Sequence, residues 1–208
     1  MEDCIKNDLK DLIREATKTL DRSTFVQEPT YTAALFGRLH KREIWSPSGQ
    51  FLKIEGVPST DRGYGSAEKS SGIDIGLVLT WEDEIGNCDR KAVLIQAKND
   101  VLSIRGTTNA AENLASQSRK MLAISQNSVV MECPVDSSEP QIFEAIGVPP
   151  GWSPPPMSLS DFLVDQVLSC KFGDFEGNVV AIALSANRTL HISTNAPIPR
   201  NKPAWRRH

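Results

Sequence analysis

The stretch from Ser71 to Lys98 constrains the fold of this chain more than any other part of its sequence. Two runs rich in apolar and β-branched residues, 71–80 and 90–98, lie on either side of a polar loop that contains Gly86-Asn87. Such residues suit a pleated strand, and a polar loop with Gly between two such runs is typical of a hairpin. The sequence therefore predicts two neighbouring strands here.

Three polar residues interrupt or close these two predicted strands. Asp74 lies inside the first run, and Gln96 and Lys98 close the second. Because strand side chains alternate between faces, Gln96 and Lys98 project to the same side, with Ala97 opposite. A buried carboxylate or ammonium is costly unless it is paired or bound to a metal. The cluster is therefore either an Asp74–Lys98 ion pair that pins the hairpin or a site that holds a cation.

Length and composition indicate one ordinary globular domain over residues 1–208. The hydrophobic share is 39% and the charged share 24%, and no apolar run reaches the length of a membrane span. The N-terminal residues lack the basic and then apolar layout of a signal peptide. We therefore expect a cytoplasmic protein without a membrane partner.

The cysteines and the net charge narrow the kinds of site and surface that this protein can have. The four cysteines are scattered, without a CxxC pair or clustered histidines, which disfavours a zinc site and a disulfide framework. The formal net charge of −3 excludes a generally basic surface for nucleic acid. A local basic groove stays compatible with it, because the charge near the bound phosphates is what matters.

The residues before the hairpin predict two helices and a strand. Apolar residues recur at helical spacing from Ile5 to Leu20. A second helix, capped by Ser23 or Thr24, carries Glu28 near its beginning, where a carboxylate is favourable for structural reasons alone. Residues 51–57 then read as a strand. The polar loop that follows holds Tyr64, which is either a surface tyrosine or a substrate contact.

The residues after the hairpin predict a loop with Arg105 and then a helix over 109–125. Gln117 and Lys120 lie along this helix, either on a solvated face or as phosphate contacts. Residues 128–133 predict a short buried strand. The order of elements up to this point is helix, helix, strand, strand, strand, helix, strand.

The C-terminal part predicts a helix over 162–171 and a strand pair formed by 179–185 and 189–193. The tail from Ala196 to His208 is rich in proline and basic residues. It predicts a flexible segment, either a backbone-binding arm or a solubilising end.

This order of elements, together with two short motifs, resembles the PD-(D/E)XK nuclease superfamily. Ile73-Asp74-Ile75-Gly76 and Ile95-Gln96-Ala97-Lys98 match the family's Asp and (E/Q)xK motifs, in the QxK variant, and Gln27–Leu35 resembles the helix that carries the family Glu. The resemblance covers about 24–133. It implies an α/β fold with a restriction-endonuclease-like α-β-β-β-α-β core, a mixed central sheet flanked by helices. Residues 157–195 would add the C-terminal helix and β-hairpin.

The resemblance also implies a site and its chemistry. Its catalytic residues would be Glu28, Asp74, Gln96 and Lys98, with Mg²⁺ or Mn²⁺ held by Glu28, Asp74, Gln96 and the Ala97 carbonyl. Because Gln96 is neutral, one strongly held metal is easier to support than two. Glu55 on the preceding strand is an alternative to Glu28. The predicted nucleic-acid contacts are Tyr64, Arg105, Gln117 and Lys120.

The implied function is a metal-dependent nuclease, and DNA is favoured as substrate only because members of the family usually act on DNA. The family variant suggests an effector of a prokaryotic defence or restriction system, acting as a homo-oligomer or with a partner subunit. The alternative is a non-catalytic nucleic-acid-binding or assembly subunit of the same fold. The chain has no Walker, GxGxxG or GxSxG motif and no HxH or HD pattern, which disfavours a nucleotide-driven motor, a Rossmann oxidoreductase, a serine hydrolase and a histidine-based nuclease.

Overall fold

The protein has an α/β fold in which helices cover both faces of one mixed sheet. The computed structural model describes residues 1–20, 24–25, 27–58, 71–83, 85–101, 104, 108–147 and 155–199. Its helices are α1 (Asp3–Thr17), α2 (Glu28–Leu39), α3 (Asn109–Ile124), α4 (Leu159–Asp161), which continues as a π-helix over Phe162–Leu168, and α5 (Gly177–Leu184). Its strands are β1 (Arg42–Trp45), β2 (Phe51–Pro58), β3 (Ile75–Glu82), β4 (Cys88–Asn99), β5 (Ser128–Cys133), β6 (Gln141–Glu144), β7 (Met157–Ser158) and β8 (Arg188–Thr194).

The sheet has the strand order β1-β2-β8-β3-β4-β5-β6-β7. Strands β3 and β4 are antiparallel, with Ile75 opposite Ile95, so the predicted hairpin is confirmed. Strand β5 runs parallel to β4, and α3 makes the crossover between them, as a parallel pair requires. The predicted helix over 109–125 and strand over 128–133 are confirmed by α3 and β5.

Two helical layers bury the central strands. Alternate residues of β3 and β4, such as Leu77 and Val93, belong to the core formed with α1, α2 and the π-helix. The intervening residues, such as Val78 and Leu94, pack with α3 and α5 on the other face. Burial on both faces explains why β3 and β4 read as continuous apolar runs rather than as alternating ones.

The second helix begins at Glu28 instead of at the predicted caps. Its N-cap is Gln27, and Pro29 occupies the first turn. Proline is favoured there because its missing N–H would have no partner in the helix and its φ is already helical. Thr24 is therefore not the N-cap of this helix, and Ser23 lies outside the described residues.

The predicted C-terminal hairpin is wrong. Residues 179–184 belong to the helix α5, with Ser185 as its C-cap, and only the predicted strand at 189–193 forms, as β8. Strand β8 pairs with β2 on one side and with β3 on the other, so no edge remains for a hairpin partner. The apolar run instead covers the sheet, with Val179 and Ala183 fully buried. A short apolar run suits a buried helix as well as a strand, and its periodicity does not separate the two.

The sheet also differs from the expected core of three successive strands. Strand β8 lies between β2 and β3, so these strands do not form a continuous meander with β4. The short strands β1, β6 and β7 were not predicted, because their few residues carry too little alternation to detect. The predicted flexible tail begins in the core, where Ala196 is 3% exposed and Ile198 packs on it. Residues 200–208 lie outside the described part.

Among the described residues, no helix has both the length and the apolar character needed to cross a bilayer.

Candidate active site

The candidate site lies where β4 extends past the first residue of β3. Asp74, just before β3, donates its backbone N–H to the Ile95 carbonyl at 3.1 Å. The carbonyl of Ile95 therefore points toward β3. Because peptide groups at alternate strand positions point to the same side, the backbone N–H groups of Ala97 and Asn99 point toward β3 as well. They lie beyond the end of β3, where no β3 residue pairs with them. Side-chain acceptors are needed there.

Asp74 satisfies the first of these two amides. Its Oδ2 accepts a hydrogen bond from the Ala97 backbone N–H at 3.1 Å and another from the Gln96 side-chain amide. Both bonds favour an ionised carboxylate at this position. The residue that the sequence places inside the first strand therefore turns toward the end of the second.

Glu28 satisfies the second amide from a different layer of the fold. Its Oε1 accepts from the Asn99 backbone N–H at 2.9 Å, and its Oε2 lies 3.8 Å from Lys98 Nζ. The two strand amides are two residues apart, which in an extended strand is about 7 Å. The carboxylates of Asp74 and Glu28 are therefore anchored side by side along one edge of β4.

Gln96 is the most deeply buried polar residue of the cluster, with 0% exposure. Its Nε2 donates to Asp74 Oδ2 and, at 3.1 Å, to the Ala97 carbonyl. Its Oε1 is buried without a hydrogen-bond partner among the described residues. Gln96 thus acts here as a donor that holds two oxygens, which differs from the ligand role expected of it.

These residues fit a hard divalent cation. Mg²⁺ and Mn²⁺ are commonly held by one or two carboxylates, carbonyl oxygens and waters, and the edge of β4 offers two carboxylates and the Ala97 carbonyl, with the side-chain amide of Gln96 beside them. No group of three or more His, Cys, Asp or Glu side chains suited to a metal occurs in the described part of the chain. A ligand set of this kind therefore has to use amide and carbonyl oxygens as well.

The structure brings five predicted residues to one place: Glu28, Asp74, Gln96, Ala97 and Lys98. It separates the alternative, Glu55, which lies on β2 opposite His191 of β8. Lys98 forms an ion pair with Glu28, a partner that the sequence did not suggest when it offered Asp74.

Of the predicted nucleic-acid contacts, Gln117 lies beside the segment that leads into the site. A Cβ added at Gly72, two residues before Asp74, would stand 2.7 Å from the Gln117 carbonyl oxygen, so α3 packs directly on this segment. The Oε1 of Gln117 is buried without a hydrogen-bond partner among the described residues, and Lys120, three residues further on, is exposed. Tyr64 and Arg105 lie outside the described residues.

Sequence reasoning missed the two backbone amides that anchor the carboxylates. The only signal for them was that the second run continues past Gln96 while the first begins after Asp74. It also missed Lys91, whose ammonium is buried at the far end of β4 from the site; the signal was a lysine directly before an apolar run.

Comparison of the chain with family models, with curated proteins and with solved structures finds no match in any of the three.

Proposed function

We propose that this chain is a metal-dependent nuclease that hydrolyses phosphodiester bonds of nucleic acid, with DNA as the favoured substrate. One observation carries the proposal: the carboxylates of Asp74 and Glu28 are held by the backbone amides of Ala97 and Asn99, next to the ammonium of Lys98. Two anchored carboxylates beside a lysine are a suitable setting for phosphoryl transfer, because the reaction depends chiefly on positioning and charge.

Asp74, Glu28 and the Ala97 carbonyl would hold Mg²⁺ or Mn²⁺, with Gln96 as a further ligand. When bound, such an ion polarises a phosphoryl oxygen and lowers the pKa of a coordinated water. The protein's own contribution is rigidity, since each carboxylate is fixed by a backbone amide that belongs to a buried strand.

Lys98 supplies the positive charge for the scissile phosphate. Its side chain is 21% exposed and that of Glu28 28%, so both groups lie at the border between the sheet and solvent. A separation of 3.8 Å makes a loose ion pair that an incoming phosphate can replace. Lys98 would then stabilise the charge that develops on the phosphate or orient the attacking water.

Two polar residues of α3 support a nucleic-acid substrate. Gln117 and Lys120 lie on α3, whose backbone packs on the segment leading into Asp74, and they are proposed to contact the phosphate backbone. Tyr64 and Arg105 stay predictions from the sequence, as do self-association or a partner subunit, the cytoplasmic location and a role as effector of a prokaryotic defence or restriction system.

One observation favours a second candidate function, a non-catalytic nucleic-acid-binding or assembly subunit. Within the cluster, the carboxylate of Asp74 accepts a hydrogen bond from the Gln96 side chain, and Glu28 forms an ion pair with Lys98. A cluster that satisfies itself in this way also serves as a simple structural lock between α2 and β4.

Incubation with circular and linear DNA in Mg²⁺ or Mn²⁺ separates the two functions. We expect the wild type to cut DNA and Lys98→Ala to lose cutting. The matched control is Lys53→Ala, which removes a lysine in a similar ion pair, 3.6 Å from Glu43, on β2. Cutting by Lys98→Ala at the wild-type rate would refute the nuclease assignment. DNA binding without cutting by any of the three proteins would select the non-catalytic subunit.

A further inference from the structure

The Gln96 side-chain amide stands between two oxygens that the proposed metal would need. Its Nε2 donates to Asp74 Oδ2 and to the Ala97 carbonyl, while the whole residue is buried. The carboxylate and the carbonyl are both acceptors, so only an NH₂ group can face them. The orientation of the amide is thereby determined by its partners.

This orientation leaves the opposite end of the amide unsatisfied. Gln96 Oε1 is buried and has no hydrogen-bond partner among the described residues. A buried acceptor without a donor is unfavourable, and such groups in native proteins are few. The amide therefore makes two hydrogen bonds through Nε2 while its Oε1 makes none with the described residues.

We propose that the NH₂ group of Gln96 substitutes for a cation in the metal-free protein, and that metal binding turns this amide over. Rotation about the last torsion of the side chain exchanges Nε2 and Oε1, and this torsion is broad and roughly two-fold. With a cation beside Asp74 and the Ala97 carbonyl, an oxygen is the better group there, and Oε1 gains the partner that it lacks. The inference rests on the metal site of the proposed function.

This arrangement lowers the affinity of the site for a metal ion. The cation has to replace an internal hydrogen-bond donor, and the residue that turns toward it brings no charge. Metal binding to the free protein is therefore weak, and the phosphate of a bound substrate supplies the missing negative charge. Gln96→Glu should destabilise the metal-free protein, because the new carboxylate would face that of Asp74. It should strengthen metal binding, because the same carboxylate would add a negative charge to the site.

Thermal unfolding of wild type and Gln96→Glu, in EDTA and in saturating Mn²⁺, tests this inference without DNA. In EDTA we expect Gln96→Glu to lower Tm by about 4 °C or more. In Mn²⁺ we expect its Tm to rise further than that of the wild type, with an affinity for Mn²⁺ at least about tenfold higher. The matched control is Gln126→Glu, which removes the hydrogen bond that this exposed glutamine donates to the Leu122 carbonyl at the end of α3. We expect this control to lower Tm by about 2 °C or less and to leave the affinity for Mn²⁺ unchanged.

Equal Tm values of wild type and Gln96→Glu in EDTA would overturn the inference, as would equal Mn²⁺-induced shifts. Because Gln96→Glu risks failing to fold without metal, the side-chain NH₂ resonance of Gln96 in the wild type, identified by its absence in Gln96→Leu, provides a second readout. We expect this resonance to move on addition of Mg²⁺ while that of Gln126 stays in place. A Gln96 resonance that does not move at saturating Mg²⁺ would overturn the inference.

These readouts separate the inference from the nuclease assignment. DNA cutting with an unmoved Gln96 resonance leaves the nuclease and removes the amide rotation. A resonance that moves with Mg²⁺ in a protein that cuts no DNA leaves the amide rotation and removes the nuclease.

Discussion

The Oε1 of Glu28 accepts a hydrogen bond at 2.9 Å from the backbone N–H of Asn99, a residue 71 positions later in the chain. The bond joins the first turn of α2 to the last residue of β4. It places a second carboxylate along the strand edge that Asp74 also occupies through Ala97. Nothing local in either segment predicts this contact, and the candidate site depends on it.

Asp74→Asn should lose DNA cutting by at least about 10²-fold, because it removes a charge that the developing transition state would use. The amide oxygen of Asn can still accept from the Ala97 N–H, so we expect Tm to stay nearly unchanged. Initial rates of plasmid cutting, measured beside a melting curve, test both parts. Full activity in a folded Asp74→Asn protein would contradict the assignment of Asp74.

Glu28→Gln and Glu55→Gln form a matched pair that distinguishes the two candidate helix and strand carboxylates. Glu28→Gln keeps an acceptor for the Asn99 amide and loses the ion pair with Lys98, so we expect activity to fall while stability changes by less than about 1 kcal/mol. Glu55 lies on β2 opposite His191 and should not affect cutting. The reverse outcome in a cutting assay would return the role to Glu55.

Gly76→Ala should destabilise the fold by about 3 kcal/mol or more, or prevent folding. A Cβ at Gly76 would overlap the carbonyl oxygen of Ala183, because α5 rests its backbone directly on β3. Gly37→Ala is the control, since a Cβ there meets nothing within 4 Å and alanine is the better helix former. Denaturant unfolding measures both variants. An unchanged midpoint in Gly76→Ala would mean that α5 does not pack as described.

Lys91 should make stability depend on alkaline pH. It is 1% exposed, and its Nζ donates to the carbonyls of Phe172, at 2.8 Å, and Val167. Burial lowers the pKa of Lys91 from its ordinary 10.5 to about 8, with Cys170 acting in the opposite direction. Between these pH values the unfolded chain binds a proton that the folded chain does not, so the free energy of unfolding should rise with pH.

The expected rise, from about pH 8 toward 10.5, is at most about 3 kcal/mol. Denaturant unfolding of the wild type and Lys91→Met across this window measures it, because titrations elsewhere in the chain are common to both proteins. The wild type should gain stability relative to Lys91→Met as the pH rises. Parallel curves for the two proteins would show that Lys91 stays charged in the fold.

Much of the fold was predictable where a pattern was long and its interpretation local. The spacing of Ile5, Leu9 and Ile13 predicted α1, and the two runs around Gly86 predicted the β3–β4 hairpin. The run 179–185 was not predictable in this way. Its first six residues are all apolar, so the choice of helix depended on β8 having both of its edges occupied.

In the candidate site, too, the sequence predicts the features that depend on local geometry and misses those that depend on tertiary contacts. Strand alternation by itself determined that Gln96 and Lys98 share a side of β4 and that Ala97 faces away, because this follows from the covalent geometry of an extended chain. Only the tertiary structure decided that Glu28 rather than Glu55 reaches this strand, that Lys98 pairs with Glu28, and that Gln96 donates to Asp74. Those contacts join residues far apart in sequence, and which of them form depends on how the helices and strands pack.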